Sequence, residues 1–210
     1  VWIMAYTTID DPSAYFQTDI YTGDGSTTQA QTFDGNSDMQ PDMVWIKERS
    51  ETRSHVLFDS IRGVTVQLNT NGDASDATVN DSLKVFGSDG YSVGPNNSTG
   101  KNTETYVAWG WKAGTAFSND ASSTSIGTID SVGSASDTSG FSIVSFTGTG
   151  SNGTIKHGLS TAPDLFIIKR RDDTNDWRIG SSALDNFVKH INLNTTAAQS
   201  DLAVAFNSTG

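Results

Sequence analysis

The chain offers few residues whose types and spacing would support catalysis. Only three glutamates are present, so a pair of carboxylates that hydrolyses a glycosidic bond would have to come mainly from aspartate. His55, His157 and His190 are far apart and lack the spacing of metal ligands. Because the chain has no cysteine, it has no thiolate nucleophile, thiolate zinc site or disulfide. We therefore predict a non-enzymatic protein with no catalytic residues and no cofactor, and we rank a depolymerase as the weakest alternative.

Two aspartate-rich turns contain hard oxygen ligands of the kind that calcium prefers. The candidate ligands are Asp34, Asp38, Asp73 and Asp76. Neither turn follows the order of ligands in an EF-hand, and aspartate also stabilises turns by bonding to its own backbone. We predict no metal site, and a structural role in turns is favoured over calcium binding at these four positions.

Trp109 and Trp111 flank Gly110 and are expected to point to the same face of one strand, because successive side chains of a strand alternate between faces. If this face is exposed, the pair forms a platform on which a sugar ring can stack. If it is buried, the pair belongs to the core. The chain is only 35% hydrophobic, which favours the core interpretation.

The charge of the chain limits its partners. The formal net charge is −11, and the two basic runs, at 47–53 and 169–171, contain or border acidic residues. Nucleic-acid binding requires lysine and arginine clustered on one face, so these runs indicate solvated strand ends. No apolar run approaches the roughly 20 residues of a membrane span. We predict neither a nucleic-acid partner nor membrane insertion.

The elements that would position these residues belong to an internal repeat. The nonamer PDMVWIKER at 41–49 returns as PDLFIIKRR at 163–171, and each copy reads as a central strand that begins after a proline. Further matches keep the same order: 21–26 with 146–151, 66–70 with 191–195, and 86–90 with 206–210. The repeat is about as long as a domain, which indicates tandem modules instead of a solenoid with a period of roughly 20–50 residues.

The composition predicts the fold class. Turn-forming Gly, Ser, Thr, Asn and Asp are abundant, and the apolar residues favour strands. We predict an all-β protein of two tandem antiparallel β-sandwich, jelly-roll-like modules, the second incomplete at the C-terminus. The predicted parts are an arm at 1–13, a module of about eight strands at 14–114, a linker at 115–139 and a second module at 140–210.

Three local assignments follow from the sequence, two of them with an alternative. The linker is expected to hold one strand, with a strand pair around 125–129 as the alternative. A strand is expected at 186–191 from its alignment with 61–66, and residues 10–13 fit either a capped helical turn or a plain arm. The second copy lacks a counterpart of 91–111, so the sequence reads as part of a longer chain.

The first copy resembles a tandemly repeated β-sandwich module of tail-fibre-like virion structural proteins of marine tailed bacteriophages. The motifs that carry the resemblance are AYFQT at 14–18, YTGDGS at 21–26, QPDMVWIK at 40–47, LFDSIRG at 57–63, SDGYSVG at 88–94 and YVAWGWKAG at 106–114. The second copy differs from the first at 185–186, the segment that corresponds to 59–63. A role of Arg62 therefore does not extend to the second copy. The resemblance supplies no catalytic residues.

This resemblance implies a tail fibre or surface appendage that is assembled in the host cytoplasm and then lies in the extracellular virion. Its expected partners are other virion proteins, further copies of itself in a homotrimer, and host-surface polysaccharide. The alternatives are a carbohydrate-binding module for host polysaccharide and a capsid decoration protein. We predict that Trp2, Tyr6 and Ile9 of the N-terminal arm dock on a neighbouring subunit or another virion protein, because they are too few to form a core. An arm that folds back along its own sandwich is the alternative.

Overall fold

The protein is all-β, as its composition predicts. The fold is that of a computed structural model, which describes residues 9–201. A 3-10 helix at Pro12–Ala14 is capped by Asp11, and the one short α-helix in this range, α1, spans Ala121–Thr124. The strands are β1 Phe16–Thr22, β2 Gln29–Gln31, β3 Met43–Glu48, β4 Val56–Asp59, β5 Val66–Asn69, β6 Ala77–Thr78, β7 Leu83–Phe86, β8 Tyr91–Val93, β9 Thr105–Trp111, β10 Thr115–Asn119, β11 Ser131–Ser136, β12 Phe141–Phe146, β13 Leu165–Ile168, β14 Arg178–Ser181, β15 Lys189–Asn192 and β16 Ser200–Asp201.

The first part of the chain forms two sheets that pack face to face. The six-stranded sheet has the order β1-β9-β3-β4-β5-β6, and the small sheet has the order β2-β8-β7. Burial alternates along β9, whose Tyr106 and Ala108 point inward. They join one buried cluster with side chains of both sheets, including Phe58, Leu83 and Tyr91. A sparse apolar composition is thus concentrated in one sandwich-like core.

Gly110 lies on the inward face of β9, where the rings of the core leave no space for a larger residue. A Cβ atom built there would lie 2.6 Å from Cζ of Phe33 and 3.3 Å from Cε of Met39. The glycine between the two tryptophans is therefore needed for close packing of the two sheets.

Substituting Gly110 by alanine is expected to lower the free energy of unfolding by about 1–3 kcal/mol, because Phe33 must leave its position to admit the methyl group. Urea unfolding followed by circular dichroism measures this change. Gly72→Ala is the matched control, since no atom lies within 4 Å of its Cβ position. Equal stabilities of the two variants would contradict this account of Gly110.

The predicted linker is wrong in one respect, because residues 115–139 hold two strands and α1. Here β10 and β11 pair with β12 in an antiparallel sheet, the middle sheet. Its small residues make room for one ring: a Cβ on Gly133 would lie 2.6 Å from Cζ of Phe117. Serine and glycine, which suggest a flexible linker, here provide the space in which Phe117 packs.

The four-stranded sheet, β13-β14-β15-β16, repeats four strands of the six-stranded one, β3 to β6. Leu165 pairs with Ser181 in the same way as Met43 pairs with Asp59. Leu165 and Ser181 each lie 122 positions after their counterparts in the first copy. Lys189 pairs with Asp201 as Val66 pairs with Thr78, at 123 positions. The strand order and register of β3 to β6 therefore recur in β13 to β16. In contrast, β12, which matches β1 in sequence, pairs with β11.

Two sequence assignments in the second copy are corrected by this register. The segment predicted as a strand at 186–191 forms a turn up to Val188 and a strand only from Lys189. The alignment of 66–70 with 191–195 is out of register by two residues, since Leu68 corresponds to Ile191. The cause is the turn itself, in which Asp185, Asn186 and Phe187 all adopt left-handed backbone conformations. The first copy builds the equivalent turn differently.

That turn in the first copy, between β4 and β5, is organised by a buried ion pair. Nε of Arg62 donates to Oδ2 of Asp59 at 2.6 Å, and both side chains are almost fully buried. The other guanidinium nitrogens donate to the carbonyls of Val66 and Leu57, at 2.9 and 3.2 Å. Oδ1 of Asp59 accepts from the backbone N–H of Arg62 at 2.8 Å. The motif at 57–63 is thus a structural turn.

The four-stranded sheet is joined to the six-stranded sheet through Trp177, which directly precedes β14. The indole is 5% exposed and forms a buried cluster with Leu57 and Leu68. Its Nε1–H donates to the carbonyl of Asn69 at 3.0 Å. One side chain of the second copy therefore both packs on and bonds to strands of the first.

Candidate functional site

The outward face of the six-stranded sheet carries an aromatic cluster, which we call the aromatic face and define as Phe16, Trp45, Trp109 and Trp111. Strand register places them side by side: Phe16 is opposite Trp111, and Trp109 is opposite Trp45. The ring centroids of the first pair are 5.0 Å apart and those of the second 6.0 Å. Both pairs have tilted or edge-on geometries, which are favourable for aromatic rings. The sheet thus fixes four rings in one surface.

Two parts of the chain cover this surface from opposite sides. Phe141 of β12 stacks on Trp111 at 6.3 Å between centroids, and the cluster around Trp177 packs against Trp45. The side of the face on β1 stays open, where Phe16 is 39% and Ile20 is 68% exposed. The aromatic face is therefore covered in part at Trp45 and at Trp111, and it is accessible along β1.

The tryptophan pair is neither the core nor the exposed platform that the sequence leaves as alternatives. Trp109 and Trp111 do share one face, opposite Tyr106 and Ala108, and both indoles are half-buried. A half-buried apolar strip of this kind can contact the apolar face of a sugar ring or another protein.

The polar groups beside the aromatic face are few. The ring of His55 lies 6.2 Å from that of Trp45. Burial lowers the pKa of His55 below its ordinary value, and the positive charge of Lys47 acts in the same direction. Because His55 is then neutral at pH 7, Lys47 supplies the positive charge at this end of the face.

Glu48 and Glu104, which are distant in the sequence, lie near each other where β3 ends and β9 begins. The side chain of Glu48 points into the core and is 1% exposed, and the nearest cationic group, Nε of Arg53, is 3.6 Å from Oε2. Neither carboxylate oxygen of Glu48 has a hydrogen-bond partner within residues 9–201. Burial, with the nearby charge of Glu104, raises the pKa of Glu48.

Glu104 lies in the opposite electrostatic environment. Hydrogen bonds from Ser50 and then Lys101 lower the pKa of Glu104, and its Oε1 lies 3.2 Å from Nζ of Lys101. Carboxyl groups with pKa values shifted apart can serve as acid and base in catalysis. Here the group with the raised pKa is sealed from solvent, so a substrate has no access to it. The arrangement is better explained as a structural feature of the sandwich end.

The stability of the protein is expected to depend on Glu48 in a defined pH range. Because its folded-state pKa is raised above the ordinary 4.5, protonation favours the folded state, and this contribution is lost as the pH rises above 4.5 and through the folded-state pKa. Glu48→Gln should therefore gain on the order of 1 kcal/mol relative to the wild type over that range. Thermal unfolding at a series of pH values measures the difference.

Glu104→Gln is the matched control for this prediction. Since the pKa of Glu104 is lowered, the stability that Glu104 contributes is lost as the pH falls, so the difference between the wild type and this variant changes with the opposite sign. A pH-independent difference between the wild type and Glu48→Gln would contradict the assignment.

The aspartate-rich turns are not arranged as a calcium site. Oδ2 of Asp76 pairs with Nε of Arg171 at 2.7 Å, and the carbonyl of Asp73 accepts from Nζ of Lys169 at 3.0 Å. Asp34 and Asp38 are both exposed. No group of three or more His, Cys, Asp or Glu side chains within residues 9–201 could hold a metal ion. The second turn instead links the β5–β6 loop to the loop after β13.

The remaining residues singled out in the sequence lie apart from the aromatic face. Nδ1 of His157 accepts the backbone N–H of Leu159 at 3.2 Å, and His190 is buried in β15. Of the arm residues, Trp2 and Tyr6 lie outside the described residues, and Ile9 is half-buried. The sequence did not indicate that Phe16 and Phe141 belong to an aromatic surface. Their equivalent positions, shortly before the matching segments 21–26 and 146–151, were the available signal.

Comparison with known proteins places the chain in a family. A family model described as a domain of unknown function, DUF7483, matches residues 11–210. The chain belongs to the DUF7483 family. In this DUF7483 chain the matched region includes the aromatic face, the middle sheet and the repeated strands. No curated protein and no solved structure matches the chain. Within the described residues of the DUF7483 chain, no helix is long and apolar enough to cross a membrane.

Proposed function

We propose that this chain is a non-enzymatic structural protein of a virion, namely a tail fibre or surface appendage of a tailed phage. The observation that supports it best is the recurrence of β3 to β6, in order and register, as β13 to β16. Tandem β modules of this kind extend a chain in one direction while repeating one packing solution. The resemblance of the first copy to tail-fibre-like modules supports the same role.

In this proposal the second copy is a partial β-sandwich module, and the protein is assembled as a homotrimer. A chain with few apolar residues gains stability from contacts between subunits. The N-terminal arm, with Trp2, Tyr6 and Ile9, is the part that attaches to the particle. Multi-angle light scattering at micromolar concentration is expected to give three times the mass of one chain, and a monomer would remove the trimer from the proposal.

Immunogold labelling of purified particles tests the location. Antibodies against the recombinant chain are expected to label the tail or its fibres in particles of the phage that encodes it. Labelling over the head surface would indicate capsid decoration instead. Particles without any label, and without the chain in their mass spectrum, would overturn the virion proposal.

A second candidate function is contact with host-surface polysaccharide, and the open side of the aromatic face favours it. Phe16 and Trp109 lie on neighbouring strands, and the open strip runs along β1, so a chain of sugar rings has an exposed apolar strip to follow.

Paired substitutions test this second function. Phe16→Ala is expected to weaken binding to polysaccharide extracted from the host surface about tenfold, which corresponds to ~1.4 kcal/mol. Phe146→Ala is the matched control, because Phe146 has the same 39% exposure but lies on β12. Isothermal titration calorimetry measures both affinities. Equal affinities for the two variants would exclude the aromatic face as the glycan site.

A further inference from the structure

The strand β13 ends the four-stranded sheet, whereas its counterpart in the first copy lies inside a sheet. β3 is bonded to β4 on one side and to β9 on the other. β13 is bonded to β14, and no strand within residues 9–201 pairs with its other edge. Within residues 9–201 the repeat therefore reproduces β3 to β6, but β13 has no neighbour at the position that β9 occupies beside β3.

The backbone of β13 presents bonding groups at this edge. Ser182 N–H donates to the carbonyl of Asp164 at 3.0 Å, so the groups of residue 164 face β14. In an antiparallel ladder the bonding direction alternates along the strand. The N–H and C=O groups of Leu165 and Ile167 consequently point away from β14. Their counterparts, Met43 and Trp45, are the residues opposite Trp111 and Trp109 of β9.

The side chains of β13 give the edge no protection. Leu165 is 55% and Ile167 is 49% exposed, and all four residues of the strand are apolar. Soluble proteins usually protect an edge strand with a charged residue, a proline or a bulge within it, because such an edge pairs readily with other strands. The charged residues nearest to the strand in sequence, Asp164 and Lys169, flank it and lie outside it. An apolar edge that no strand within residues 9–201 pairs with is a surface to which a strand can be added.

We infer that the outer edge of β13 accepts an antiparallel strand of the β9 type from another polypeptide segment. Such a strand carries large apolar residues at alternate positions on the outward face, as Trp109 and Trp111 do, and small or aromatic residues on the inward face. Its large residues would lie beside Leu165 and Ile167, as those of β9 lie beside Met43 and Trp45. The inference depends on the repeat and not on the virion proposal.

Binding of a synthetic peptide tests this inference on the intact chain. A fluorescent peptide of residues 103–113 is expected to bind saturably, with an affinity in the micromolar range, in anisotropy titrations. The same peptide with an N-methyl group on Trp109 keeps every side chain but loses one bonding N–H, and it is expected to bind at least tenfold more weakly. Hydrogen exchange should show that the bound peptide protects the amides of Leu165 and Ile167.

Two variants of the chain locate the binding edge. Ile167→Lys places a charge on β13 and is expected to weaken peptide binding at least tenfold. Val188→Lys is the matched control, because Val188 is 53% exposed in the turn before β15, away from the edge. Circular dichroism verifies that both variants are folded. Self-association that Ile167→Lys abolishes would also support the inference, with a second copy as the strand donor.

Three results would overturn the inference. The peptide and its N-methylated form could bind equally, which would mean that no ladder forms. The amides of Leu165 and Ile167 could be protected from exchange before any peptide is added, which would mean that the edge is already occupied. Finally, the peptide could fail to bind at concentrations up to the millimolar range.

Discussion

Substituting Trp177 by alanine is expected to lower the free energy of unfolding by about 3–5 kcal/mol. The indole is 5% exposed, and it packs on Leu57 and Leu68 of the six-stranded sheet. Its removal leaves a cavity between two sheets and also leaves the carbonyl of Asn69 without its donor. Because this side chain joins the two copies, the four-stranded sheet should lose its support more than the first sandwich does.

Urea unfolding followed by circular dichroism, together with limited proteolysis, measures this effect. In Trp177→Ala, cleavage is expected to become faster within residues 159–201 before it does in residues 16–111. Trp177→Phe is the matched control, since it keeps a buried aromatic ring but loses the hydrogen bond and part of the ring volume, so it should cost less than Trp177→Ala. A Trp177→Ala variant as stable as the wild type would show that the contact between the copies contributes nothing.

Substituting Arg62 by alanine is expected to destabilise the protein by a similar amount, about 3–5 kcal/mol, for an electrostatic reason. The carboxylate of Asp59 would stay buried without its cation, and the carbonyls of Leu57 and Val66 would lose their donors. Burying an uncompensated charge costs more than the pair itself contributes. The β4–β5 turn should therefore open before the rest of the sandwich.

Double substitution separates the two contributions. Asp59→Asn with Arg62→Ala should be more stable than Arg62→Ala alone, because the unpaired charge is gone. Arg62→Lys should fall between the wild type and Arg62→Ala, since lysine keeps the charge but cannot reach both carbonyls and the carboxylate together. Thermal unfolding at pH 7 gives the order of stabilities. An Arg62→Ala variant that unfolds like the wild type would contradict the role of this buried pair.

Much of the fold follows from local patterns in the sequence. The repeated nonamers at 41–49 and 163–171 correctly place β3 and β13, since an apolar run after a proline is typical of a strand. Alternation along β9 correctly separates Trp109 and Trp111 from Tyr106 and Ala108, but the sequence favoured the tryptophan face as the core, and the structure buries the opposite face. These features depend on neighbours along the chain, which a single sequence shows directly.

Other features depend on residues that are distant in sequence. The sequence gives no sign that Phe141 and the Trp177 cluster cover opposite parts of the aromatic face, so it left Trp109 and Trp111 between core and platform. The middle sheet was not predicted because a segment rich in glycine and serine is also typical of a linker. In the structure the space left by Gly133 is filled by Phe117. The sequence alignment of 66–70 with 191–195 was wrong by two residues, in a part of the second copy where the β14–β15 turn is built differently.

The position of β9 also determines the order in which the first sandwich can fold. β9 is the last strand of that sandwich in sequence but lies between β1 and β3 in its sheet. The pair Phe16 and Trp111 is separated by 95 positions, and the pair Met43 and Trp111 by 68. β1 therefore has no neighbour in its sheet until the whole first copy has been synthesised. During translation we expect β1 to stay unpaired until Trp111 leaves the ribosome, and folding of the isolated protein to take milliseconds to seconds, as is typical of sheets with such distant pairings.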